Sequence, residues 1–260
     1  MYIIAGICFT LTRLPRFSES LAALVSIAFS SVLAGLLWHA MILYGMIMRP
    51  DGLALSIGNT ASLIGLQLAL IAVIGAIEPT LRGLAGGLCV LAALAGLATG
   101  WPADQAMSER YSWQLESHIL VSIFSYGLLA AGAIIAVYAL IQDRRLKSGR
   151  LSSVNQLFAP LETTERLLFG ITSAGFALLL LAVVSGFWFV DNLFAQHLVH
   201  KTVLSLLALL LFGVLIAGRQ FTGWRGSRAV YLYLGGFGIL CLAYFGSRFI
   251  LENVLGRSWG

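Results

Sequence analysis

Four histidines carry most of the chemistry this sequence offers: His39, His118, His197 and His200. The last two lie in AQHLVHKTVLS (195–205), with Lys201 beside them, at the mouth of the uncharged apolar run 202–218. Neutral imidazole coordinates zinc, copper and iron, haem iron included. Zinc sites usually recruit cysteine or carboxylate at short spacing. Here Cys8, Cys89 and Cys241 are scattered through apolar segments and read as small core residues, with no disulfide pattern. His118 opens a stripe with Ser122 and Ser125 at helical spacing, and His39 closes one with Ser31 and Gly35. Each stripe is either a seam between packed helices or the wall of a site, since small residues leave room for a flat ligand. His200, nearest the apolar run, is the better ligand of its pair, and His197 is an interfacial neighbour facing water. Carboxylates on a ligand would find Arg248, Lys201 and Arg49, arginine acting through its bidentate fork. Arg248 has a competing partner in Glu252, four residues on.

Those side chains sit in a chain that is 59% hydrophobic and only 10% charged. Soluble domains carry roughly 25% charged residues, so the composition excludes an ordinary soluble fold. It points to an all-α, polytopic membrane helix bundle. Crossing a bilayer takes about 20 apolar residues, and in lipid every backbone N–H and C=O must be satisfied internally, which selects helices. About eight transmembrane helices are expected, near 1–14, 21–48, 54–77, 81–100, 117–141, 165–190, 199–218 and 229–252, forming a single transmembrane domain over 1–260. The first is the shortest, with Arg13 expected to snorkel at its end. GLAGG (83–87) reads as helix packing before a phosphate loop. There is no Walker loop, GxSxG, HExxH or CxxCH, and no nucleophile–base constellation, so ordinary catalysis is not expected.

With eight helices, alternate loops collect Arg13, Arg16, Arg82, the DRRLKSGR run at 143–150, Arg166, Arg219, Arg225 and Arg228. Lysine and arginine mark cytoplasmic loops, so both termini are expected to be extracytoplasmic. The net charge of +5 then reflects orientation, not a nucleic-acid partner. In this topology all four histidines fall in the outer half. Trp38, Trp101, Trp113 and Trp188 lie toward the same side and read as an interfacial aromatic belt.

Two stretches resemble a known family. ESHILVSIFSYGLLAAGAIIAVYAL (116–140) and GRQFTGWRGSRAVYLYLGGFGILCLAYFGSRF (218–249) are similar to the CcsA/HemX-type cytochrome c assembly proteins, on the HemX/YpjD-like branch. The family pairs a His-Ser-SY helix with a GWRG loop and a YFG helix. The resemblance implies a multi-pass protein of the bacterial inner (cytoplasmic) membrane that handles haem b in cytochrome c biogenesis or its regulation. It also implies contact with the lipid bilayer and another cytochrome c maturation membrane protein as partner. His118 matches a family histidine. The family's tryptophan-rich external stretch is replaced here by FVDNLFAQHLVHK (189–201), its histidine before GWRG by Ala217 and Gly218, and its late HSYG by ENVLGRSWG (252–260). The expectation is that His118 and His200 ligate haem iron, Lys201 and Arg248 hold propionates, His39 is an alternative ligand and His197 a surface neighbour. The competing expectation is a membrane transporter or transport accessory without haem.

Overall fold

The computed structural model describes residues 1–50, 52–101, 112–148, 157–189 and 199–246. Among these are eight α-helices: α1 (Tyr2–Leu11), α2 (Leu21–Ile47), α3 (Ile57–Ala76), α4 (Arg82–Gly96), α5 (Trp113–Lys147), α6 (Leu161–Phe189), α7 (Val199–Thr222) and α8 (Gly226–Cys241). The last continues as a π-helical turn, Leu242–Gly246. Seven of the helical segments are long and apolar enough to cross a membrane. About eight spans are expected from the sequence; eight helices are present among the described residues, and α1 falls short of that length. At ten residues, α1 is about 15 Å long, half the roughly 30 Å hydrocarbon core. It is a half-length helix packed against α2 and α4.

The helices fall into two compact units. Unit 1 comprises Met1–Arg110 and Val137–Leu168, and unit 2 comprises Tyr111–Ala136 and Phe169–Gly260. The long helices α5 and α6 contribute to both.

In unit 1, α1–α4 pack through small residues. Gly86, from the GLAGG stretch, meets Gly6 and Thr10 of α1 so closely that a Cβ would collide with both. Pro50 cannot continue a helix; there α2 ends and a two-residue antiparallel ribbon, Met48–Arg49 with Gly52–Leu53, turns the chain into α3. Ser56 caps α3 by accepting from the Asn59 N–H at 3.0 Å. Asn59 Oδ1 accepts from the Gly100 N–H at 3.0 Å, which ties the start of α3 to the segment after α4. Arg13, expected to snorkel, reaches the Pro79 carbonyl at 3.5 Å. Its Nε is buried with no hydrogen bond among the described residues.

Helices α5 and α6 run beyond the apolar segments that announced them. The exposed i,i+4 pairs Asp143–Lys147 (2.7 Å) and Glu162–Arg166 (3.0 Å) sit on these extensions. Each such pair supports a helix by a few tenths of a kcal/mol, about 0.3–0.5. Hydropathy marks where the bilayer ends, and helical hydrogen bonding continues past it.

In unit 2 the helices are cross-linked by hydroxyls donating to backbone carbonyls. Ser125 reaches Gly175 at 3.0 Å, Tyr233 reaches Leu129 at 2.9 Å and Tyr126 reaches Leu240 at 3.2 Å, beside the point where α8 gives way to the π turn. Tyrosine can bury its ring here because its hydroxyl finds a partner.

Candidate functional site

The ends of four elements meet at one end of unit 2: the start of α5, the end of α6, the start of α7 and the π turn after α8. His118, on the first turns of α5, is half-buried. Its Nδ1 lies 2.9 Å from the Ser185 hydroxyl of α6. Nε2 has no hydrogen bond among the described residues. The neighbouring Gly186 lies flat against the ring, where an added Cβ would stand 3.1 Å from Cε1. A glycine is therefore what lets α6 approach the imidazole. Lys201 on α7 is within electrostatic reach of His118, and its ammonium lies 5.6 Å from the centre of the Tyr244 ring, a cation–π distance. Tyr244 leans on Tyr126 at 5.7 Å between centroids. Short π turns recur at functional sites because they break the regular register and re-aim side chains; this one carries Tyr244.

His200 is exposed at the start of α7, and the residue after it, Lys201, turns inward. One step along a helix rotates a side chain by about 100°, so both cannot face His118 from the same turn. Of the predicted site residues, unit 2 thus brings His118 and Lys201 together and leaves His200 on the flank. His197 and Arg248 lie outside the described residues.

His39 belongs to unit 1 and has a different environment. It is 7% exposed. Tyr2 Oη is 3.2 Å from Nδ1 and Ser62 Oγ is 2.7 Å from Nε2. Ser62 is 2.6 Å from Thr99 Oγ1, and Thr99 donates to the Gly96 carbonyl at 2.7 Å. A carbonyl can only accept, so the direction of the whole chain follows. Thr99 gives its proton to Gly96, Ser62 donates to Thr99, His39 Nε2–H donates to Ser62, and Tyr2 O–H donates to Nδ1. Both ring nitrogens of His39 are engaged. Gly35, read from the sequence as possible room for a ligand, is covered by the Tyr2 ring, which a Cβ would meet at 2.9 Å.

No group of three or more His, Cys, Asp or Glu side chains that could hold a bare metal ion occurs among the described residues. A single open imidazole with an apolar, aromatic surround suits a metal that brings most of its own ligands, as haem does.

The cytochrome c assembly protein model matches residues 28–255. The chain belongs to the cytochrome c assembly protein family. Inner membrane protein YpjD of Escherichia coli K12 is 35% identical over 267 aligned positions, covering 95% of this chain and 98% of that protein. An uncharacterized 28.8 kDa protein from a nifR3-like 5′ region of Azospirillum brasilense is 30% identical over 65% of this chain and 63% of its own length. The cytochrome c biogenesis protein CcsA of Guillardia theta is 23% identical over 56% and 54% respectively. No solved structure matches significantly. With seven helices among the described residues long and apolar enough to cross a membrane, and an inner-membrane relative along nearly its whole length, this cytochrome c assembly protein is a multi-pass protein of the bacterial inner membrane.

The GWRG motif of this family member is a turn. Gly223 (φ +67°) and Gly226 (φ +64°) both adopt left-handed backbone, which costs glycine nothing and other residues about 1–2 kcal/mol. Between them, the Trp224 N–H donates to the Gly218 carbonyl at 3.1 Å. The indole covers Gly218, where a Cβ would overlap it. Arg219 closes the turn by reaching the Trp224 carbonyl at 3.4 Å while stacking over Phe169 at 4.7 Å. The motif sets the α7–α8 hairpin, whose open end carries Lys201 and Tyr244. Sequence reasoning missed Ser185, Gly186 and Tyr244. The signal for the first two was a lone polar residue before glycine in the apolar LAVVSGFWF (181–189).

Proposed function

We propose that this protein binds haem b beside His118 and handles it in cytochrome c biogenesis or its regulation. The observation that carries the reading is the His118 ring, held through Nδ1 while Nε2 has no hydrogen bond among the described residues. A haem-binding histidine commonly has its second nitrogen fixed in this way. Membership of the cytochrome c assembly family supports the assignment.

His118 Nε2 would hold the iron, and Lys201 would pair with a propionate. Tyr244 and Gly186 would face the flat ring system, one as an aromatic surface and one as clearance. His200 would supply a second ligand after its exposed side chain turns inward, with His197 nearby and Arg248 available to the other propionate. His39, with both nitrogens occupied, could serve only if Tyr2 or Ser62 gave way. Bound haem would supply an iron centre for ligand exchange and electron transfer; the protein's part is to hold it, orient it and limit water. The orientation that accompanies this reading has Arg13, Arg16, Arg82 and Arg219 on the cytoplasmic side and His118 in the outer half, since the basic loops mark the cytoplasmic side.

The test is an absorption spectrum of detergent-purified full-length protein from haem-replete cells, oxidised and dithionite-reduced. A Soret band with sharp reduced bands is expected. A flat spectrum would overturn the proposal in favour of haem-free transport.

A further inference from the structure

Ser185 does more than pack against His118. Its hydroxyl has one hydrogen, and the Ala182 carbonyl accepts it at 3.0 Å within α6. With that hydrogen given to Ala182, Ser185 faces His118 Nδ1, at 2.9 Å, as an acceptor, and the proton of the neutral ring then falls on Nδ1. The polar group on the α6 side thus calls for an N–H from the imidazole. The opposite tautomer would aim its N–H from Nε2 into a space with no acceptor among the described residues. It would also set a bare Nδ1 against a Ser185 oxygen whose hydrogen is already given to Ala182, lone pair against lone pair. Gly186 completes the arrangement, because any side chain there would push on Cε1.

We infer that Ser185 is the positioning residue of this site: it holds the proton of His118 on Nδ1 and so presents Nε2 as a bare nitrogen donor. In water the neutral imidazole prefers its proton on Nε2, so the site inverts the ordinary preference. The consequence for iron rests on the haem reading above; the tautomer does not. By accepting from Nδ1–H, Ser185 also raises the electron density that Nε2 offers a metal.

The experiment uses the full chain labelled with ¹⁵N-histidine, purified without added haem, with His118→Gln to assign the resonances. Nitrogen chemical shifts should report a protonated Nδ1 and an unprotonated Nε2 on His118. Ser185→Ala should shift His118 toward the Nε2–H form, and Ser185→Thr, which keeps the hydroxyl, should not. On titration with haem, Ser185→Ala should bind about ten-fold more weakly, the lower end of what losing such a partner costs. What binds should show a more positive midpoint potential. An Nε2–H ring in the wild type, or a Ser185→Ala protein with unchanged tautomer and affinity, would overturn the inference. An Nδ1–H ring in a chain that takes up no haem would sink the haem reading and leave this one standing.

Discussion

His39 and His118 make nearly the same first contact, a serine on a neighbouring helix, and end in opposite states. In unit 1 the serine is a link in a chain that runs from Tyr2 through His39, Ser62 and Thr99 to the Gly96 carbonyl. Every hydroxyl and N–H hydrogen along it has a partner, and it fastens α1, α2, α3 and the end of α4. In unit 2 the serine is anchored to its own helix and fixes one nitrogen only. The residue type does not decide between structure and chemistry. The number of hydrogen bonds the surroundings supply decides it. In an apolar setting a fully paired imidazole is a rivet, and a half-paired one keeps a nitrogen lone pair free for a metal.

That contrast can be broken by exchanging the roles. His118→Ala should lower the haem-to-protein ratio at least about ten-fold, whereas His39→Ala should leave it within about two-fold; comparable losses from both would erase the distinction. Stability should respond the other way. His39→Ala strands the Tyr2 and Ser62 hydroxyls and opens a cavity, costing about 2–4 kcal/mol, so its thermal midpoint in detergent should fall well below that of His118→Ala. Gly186→Ala sharpens the comparison within unit 2. Its Cβ would press on Cε1 from 3.1 Å, and a haem titration should show affinity reduced several-fold with the unfolding midpoint nearly unchanged. The smallest effect belongs to Thr99→Val, which removes the last hydroxyl of the unit 1 chain. It should cost about 1 kcal/mol in denaturant unfolding and leave the haem spectrum as in the wild type.

The membrane class, the spans and the family motifs were all legible, because they depend on composition and on local pattern. The stripe on α5 was legible only in outline. Ser122 donates back to the His118 carbonyl at 2.8 Å and Ser125 crosses to Gly175, so neither touches the imidazole. The partner that matters, Ser185, is 67 residues away in sequence, a separation at which no helical periodicity operates. Helix α1 was hard to judge because hydropathy reports apolar character without length; it ends at Leu11, and the 3₁₀ segment Pro15–Ser20 leads into α2. The difference between His39 and His118 was hidden for the same reason as Ser185: a hydrogen-bond chain is a property of neighbours brought together by packing.

The GWRG turn bears on how the protein is made as well as how it stands. Its contacts lie within eight residues of one another, apart from the stack on Phe169, so α7 and α8 can close into a hairpin as soon as both have left the ribosome. Contacts of such short range form early. Lys201 and Tyr244 would then be partners before the rest of unit 2 gathers around them. A defect in the turn should surface as poor yield and rapid proteolysis of newly made chains.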